Sequence, residues 1–340
     1  MRRLGIVVLG VVFLLINILA WGDSTIESTV KTGGVKGMGA SEGMLIKRYQ
    51  GDKKWESIST KFTGAILSRV SGGSESTNIT RVDKGVYWNL DPKNHTYAER
   101  PIEPFKKEDL SKERGEKEKP KARVTKSEFT VKKTGASETI NGFPCEEYLI
   151  TWFLEMEDLE TKAKSKSTMT TNLWTTPETS TIRKAQSEEQ EFQKAYARKI
   201  GLSISPDDAK QLGMEALGSM SGAPPEEIQK GLMRVKEEMS KIKGYPIRSV
   251  VGWTLEGEKV AGAGKEEKSS SESTPESPKS IGGLLGGFAG KITQKMAGEK
   301  PSSSGGKEGP FFSSMTEVKA INVDSISAEV FEIPAGYVKK

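Results

Sequence analysis

Cysteine and histidine are almost missing from this chain: Cys145 and His95 are the sole examples in 340 residues. A single cysteine excludes an internal disulfide. The Cys/His ligand sets of zinc sites lack members, and a Ser-His-Asp triad would have to run through His95, beside a predicted turn. There is no phosphate-cradling Walker sequence and no dinucleotide fingerprint, no Gly-x-Ser-x-Gly elbow is expected, and no cofactor is implied. Charge of one sign is scarce as well, with 51 Lys and Arg against 46 Asp and Glu. The two signs interleave, as in Lys106-Lys107-Glu108-Asp109, so a basic face for nucleic acid is not expected. Carboxylates are plentiful, which leaves a paired-carboxylate hydrolase open. Glu146 and Glu147, adjacent on a predicted strand, should point to opposite faces and make a poor dyad.

Long apolar runs are also missing, apart from one. Met1-Arg2-Arg3 is a short basic segment, Leu4 to Leu19 is largely apolar, and Ala20-Trp21-Gly22 carries small residues where a signal peptidase needs them. Residues 1–22 read as a cleavable export signal, and a periplasmic or secreted location is expected. No cysteine follows the run, so an N-terminal lipid anchor is not expected. Two stretches are too polar to join a core: a charged loop at 101–123 and a low-complexity linker at 259–310. The rest divides into a main β-rich domain at 23–258, which includes that loop and a helical insertion at 184–243, and C-terminal strands at 311–340 that complete it.

Period-two patterns dominate the main domain. Residues 43–49 and 55–70 read as strands, and Val86, Trp88 and Leu90 alternate ahead of a turn at Asp91-Pro92-Lys93-Asn94. Residues 127–132 and 138–156 follow, interrupted by the turn-forming Asn141-Gly142; Tyr148, Ile150, Trp152, Leu154 and Met156 share one face. Residues 165–175 should pair with them. A helical rhythm then takes over at Phe192, Ala195, Tyr196 and Ile200, at a capped start near Ser205-Pro206, and in the stripe Ile228, Leu232, Val235, Met239 and Ile242, so three helices are expected. Strand patterns return at 245–256, 315–324 and 327–333.

Several segments together carry a resemblance. Val86-Tyr87-Trp88-Asn89-Leu90-Asp91-Pro92, Ile140-Asn141-Gly142-Phe143-Pro144-Cys145, Gly244-Tyr245-Pro246-Ile247-Arg248 and Phe331-Glu332-Ile333-Pro334-Ala335-Gly336-Tyr337 resemble an exported bacterial domain-of-unknown-function family. That family is similar in architecture to the lipoprotein carrier LolA and the receptor LolB. The resemblance implies an α+β fold: a curved antiparallel sheet, a half-barrel, with inserted helices on its concave face and an apolar cavity between. Each segment also has a plain reading as turn or cap.

The favoured expectation is an exported, non-enzymatic binding protein for a lipid, a lipoprotein acyl chain or another hydrophobic ligand. Trp88, Tyr148, Ile150, Trp152 and Trp253, with Leu232, Val235 and Met239 from the last helix, are the candidate lining residues. In a filled interior the same side chains are ordinary core. The alternative is an envelope module that binds another protein and holds no internal ligand. One block inside the linker, 281–296, sets Ile281, Leu284, Leu285, Phe288, Ile292 and Met296 among glycines. It is a candidate for docking on a groove, covering a cavity or peripheral membrane contact.

Overall fold

The computed structural model describes residues 23–35, 40–63, 73–104, 122–201, 225–257 and 310–340. The export signal, the expected helix near Ser205, residues 64–70 of the expected strand and the 281–296 block lie outside them. Within the described residues, twelve strands form one curved, unclosed sheet in the order β12-β6-β5-β4-β3-β2-β1-β11-β10-β9-β8-β7. The first six are β1 (Ser24–Val35), β2 (Ser41–Gln50), β3 (Lys53–Phe62), β4 (Ser74–Arg81), β5 (Val86–Asp91) and β6 (Thr96–Pro101). The others are β7 (Ala122–Ile140), β8 (Phe143–Asp158), β9 (Lys164–Thr176), β10 (Tyr245–Gly257), β11 (Phe312–Asn322) and the two-residue β12 (Val338–Lys339).

The order describes two meanders. The chain walks outward from β1 to β6, returns at the opposite edge as β7, and walks inward to β11, which pairs antiparallel with β1. Nearly the whole chain separates those two central strands, a non-local pairing of the kind that folds slowly. β12 alone runs parallel to its neighbour, β6.

Turn chemistry sets the register. Asn141 (φ 50°) and Gly142 (φ 86°) supply the two left-handed residues of the β7–β8 hairpin. At Asp91–Asn94 the Asp91 carboxylate accepts from the Asn94 backbone N–H (3.1 Å) and Nδ2 (2.7 Å). His95, expected beside this turn, sits in it with φ 49°. Gly244, at φ 85°, admits no side chain, because a Cβ there would collide with the Thr176 carbonyl.

Two helices are described. α1 (Ser180–Lys199) starts well before the expected position because Thr179 caps it, accepting from the Ile182 N–H. Its buried residues Ile182, Ala185, Glu188 and Phe192 lie against β1, β2 and β11. Tyr49 meets the Phe192 ring at 5.7 Å and donates to Glu189. α2 (Pro225–Met239) lies against β7, the sheet edge. There the Glu238 carboxylate accepts from the Val131 N–H at 2.7 Å, occupying a donor of an edge strand that would otherwise be open to another chain. Lys241 holds that carboxylate by a salt bridge, and the two contacts together lower its pKa. Glu238→Ala should therefore speed hydrogen exchange at the Val131 amide roughly tenfold, measured by NMR, with the amides of α1 unchanged.

A second small core sits at the far end, where Ile79, Trp88 and Leu90 surround Phe331. The expected strand at 327–333 is not one. Ala328–Phe331 is a single 3-10 turn, capped by the Ser327 side chain at the Glu329 N–H, and it drives Phe331 into this core. β1 went unpredicted, and β7 starts at Ala122, inside the expected charged loop.

Candidate functional site

In an antiparallel sheet, directly paired residues share a face. Following the register from β7 to β11 gives a set of rows across one face. Phe129, Trp152, Met169, Trp253 and Phe312 form the central row. On one side lie Val131, Ile150, Thr171, Val251 and Ser314; on the other lie Ser127, Leu154, Ser167 and Leu255, and beyond them Val124, Met156 and Ser165. Tyr148, Leu173, Ser249 and Thr316 make a further row, bordered at the edge by Lys133. Inside that border no side chain is charged, in a chain where 29% of residues are charged.

The opposite face of the same strands mixes charged rows with threonines and a few apolar residues such as Leu149, Phe153 and Val250. Lys126, Glu155, Lys166 and Glu256 form one of its rows, with Arg123, Glu157 and Lys164 in the next. Arg123 pairs with Glu157, Lys164 with Glu155 and Lys126 with Glu128. Such segregation costs a sheet nothing when the uncharged face is covered and exposes apolar area when it is not.

The uncharged face is only partly covered. Tyr148 is 3% exposed and its hydroxyl accepts from the Lys243 N–H just past α2, so α2 roofs that end. Leu232, Val235 and Met239 of α2 are half-buried. Trp152, mid-face, is 37% exposed, and Ile150, Met169, Trp253 and Phe312 are half-buried. Trp253 is held by two contacts: its Nε1 donates to Ser167 Oγ at 2.8 Å and its ring meets Phe311 edge-on at 6.0 Å. At strand spacing the face measures roughly 19 by 27 Å.

Seven of the eight expected lining residues thus belong to this region, five strands wide, or to the helix beside it. Trp88 does not. It lies on β5, in the small core around Phe331, 6% exposed, with its Nε1 donating to Glu99 at 2.9 Å. Period two assigns a residue to a face of its own strand, and β5 and β8 stand eight places apart in the sheet. Elsewhere, a recess of about 380 Å³ opens between Lys31, Thr32, Ser41, Glu42 and Ser313, and none of the eight lines it.

The rare reactive side chains are engaged in structure. Cys145 is 2% exposed, its thiol contacts the Phe143 carbonyl at 3.3 Å, and burial pushes its pKa up, away from the reactive thiolate. The His95 ring rests edge-on against Tyr337 at 5.6 Å. One motif needs correction: Gly39-Ala40-Ser41-Glu42-Gly43 does spell Gly-x-Ser-x-Gly. Yet Ser41 opens a strand, not the helix of a nucleophile elbow, and its hydroxyl bonds Thr32 Oγ1 at 2.9 Å. Among the described residues no group of three or more His, Cys, Asp or Glu is placed to hold a metal ion.

No family model matches the chain, and no curated protein matches it. The chain is similar to the crystal structure of a provisionally assigned outer membrane lipoprotein-sorting protein domain from Vibrio parahaemolyticus, over 45% of this chain and 71% of that one. The identity is 13% and the TM-score 0.17, a likeness that carries no argument about this fold or its function. The segments behind the family resemblance have local roles: Phe331 fills a core, Glu332 pairs with Arg81 and Lys84, and Gly336 turns the chain at φ 87°.

Proposed function

We propose that this is an exported cell-envelope protein that binds the hydrocarbon part of a lipid or lipoprotein on the uncharged face of β7–β11, without catalysis. One observation carries the reading: across five neighbouring strands the rows from Tyr148 to Met156 hold no charge inside the bordering Lys133, and they include a partly exposed aromatic row. A chain of about 14 methylenes gains roughly 11 kcal/mol gross from burial at about 0.8 kcal/mol each, before ordering costs. Ser and Thr hydroxyls between the aromatics tolerate both water and hydrocarbon, as a face that fills and empties requires. No charged side chain inside the face is available to pair with a buried headgroup, so a charged headgroup stays at the rim.

The test places a charge where the face has none. Trp152→Lys should weaken binding of a fluorescent acyl probe at least about tenfold, since the ammonium must be desolvated beneath the chain. Thr151→Lys, one residue away and on the opposite face, should leave binding unchanged. Equal affinities in the two variants, or no lipid co-purifying in native mass spectrometry and no probe uptake by the parent protein, would overturn the acyl reading in favour of a protein-binding envelope module.

A further inference from the structure

Within β7–β11 the central row of the uncharged face runs to the paired residues Trp253 on β10 and Phe312 on β11. Between these neighbouring strands the sequence inserts residues 258–309, which lie outside the described residues. Both ends of that connection therefore leave the sheet beside the aromatic row. Its composition is uneven. From Glu258 to Ser280 and from Ala297 to Gly309 it is polar, charged or small, Val260 apart, whereas Ile281-Gly282-Gly283-Leu284-Leu285-Gly286-Gly287-Phe288-Ala289-Gly290 carries no charge at all.

We infer that the block 281–296 docks on the Phe129–Trp152–Met169–Trp253–Phe312 row of its own chain. The inference rests on the reading of this face as the binding surface and names its resident competitor. Reach permits it: 23 residues precede Ile281 and 13 follow Met296 within the connection, lengths for which a polar linker spans roughly 26 and 20 Å, close to the width of the face. Arms matched to the span hold a tethered group at an effective concentration of about a millimolar. Chemistry favours it as well. The part of the block without charge, Ile281 to Gly290, meets an uncharged face while Lys291 and Lys295 fall in the remainder, and its glycines let Leu284, Leu285 and Phe288 approach flat aromatic rings without backbone crowding. The polar arms give the block no competing apolar site within the connection itself.

The experiment uses delipidated, full-length protein carrying p-benzoylphenylalanine in place of Phe288. On illumination the ketone oxygen abstracts a hydrogen atom from a nearby C–H, the resulting ketyl carbon then bonds to the carbon radical left behind, and a methionine side chain is a favoured target. Docking predicts intramolecular cross-links to peptides of β8, β9 and β10, with Met169 prominent, and no such preference for the same probe at Ser270 in the polar arm. Cross-links confined to pairs of molecules, or spread evenly over the surface, would overturn the inference. In a second arm, Leu284→Ser, Leu285→Ser and Phe288→Ser combined should tighten acyl-probe binding about three- to tenfold by removing the competitor. Cross-linking with no probe binding by either protein would sink the acyl reading and leave the docking supported. Probe binding with scattered cross-links would do the opposite.

Discussion

Phe331→Ala should destabilise the protein by about 3–5 kcal/mol, the largest effect expected of any single truncation described here. Phe331 is 0% exposed and closes the core of Ile79, Trp88 and Leu90, with Trp55, Val86, Tyr97 and Tyr337 packed around it. It arrives on a 3-10 turn near the C-terminus, so its burial is what fastens the last part of the chain to β4 and β5. A cavity there cannot close easily, because Arg81 braces the same turn. The Arg81 guanidinium, 7% exposed, donates to the Phe331 carbonyl at 3.3 Å, pairs with Asp83 at 2.5 Å and also pairs with Glu332. For a fold of this size the loss corresponds to a Tm lower by roughly 6–20 °C. Val338→Ala, at a residue 66% exposed, should change stability by less than about 0.5 kcal/mol. Urea unfolding of both variants checks this, with the midpoint moving and the slope constant. A Phe331→Ala cost below about 1 kcal/mol would mean that the second core is not cooperative with the sheet.

How much of this was legible before any coordinates depended on what each segment used as its signal. β8, β9 and β10 announced themselves by alternation, and Asn141-Gly142 fixed the β7–β8 hairpin by its need for left-handed φ. β1 was invisible because its buried positions include Ser24 and Ser28, small hydroxyl residues covered by α1, where a hydrophobic pattern would be sought in vain. Ala328–Phe331 had a strand-like alternation, and the Ser327 cap overrode it. α1 was foreseen by its second half only, since its first turns announce themselves through the Thr179 cap and not through an apolar stripe. The uncharged face was half legible. Glu155 and Glu157, like Lys164 and Lys166, alternate with apolar or hydroxyl residues in the sequence. That these alternations fall on one side of five strands follows from registers fixed by bulges at Val124/Lys126 and Pro246/Arg248, which sequence spacing does not contain. Trp88 failed for the converse reason: it had the right residue type and period on a strand distant in the sheet.

Acidification should remove about 3 kcal/mol of stability through one carboxylate, Glu317. The side chain is 9% exposed, and burial by itself would raise its pKa. Hydrogen bonds from Lys319 (2.5 Å), Asn141 (3.0 Å) and Arg248 (2.5 Å) outweigh that and bring it down to about 2. In the unfolded chain the same carboxyl titrates near its ordinary 4.5. Above that pH both states are ionised and the full stabilisation is present. As the pH falls from about 4.5 toward 2, the unfolded state takes up the proton first, and stability drains away at up to about 1.4 kcal/mol per pH unit. Asp83, lowered by Arg81, and Glu332, lowered by Lys84 and Arg81 against the effect of burial, titrate in the same direction, so the parent curve alone does not isolate Glu317. The difference between the parent and Glu317→Gln does: the variant should be less stable at pH 7 and converge on the parent by about pH 2. Parallel curves would show that the carboxylate contributes nothing beyond an amide. The site matters because of what it joins. Asn141, at the tip of the β7–β8 hairpin, also donates to the Val318 carbonyl at 2.9 Å, and Arg248 reaches Glu138 on β7 at 3.1 Å. The network ties the edge hairpin back to β10 and β11. Weakening it should therefore loosen the strands that carry the uncharged face, and acyl-probe affinity of Glu317→Gln at pH 7 should fall even though residue 317 lies on the opposite side.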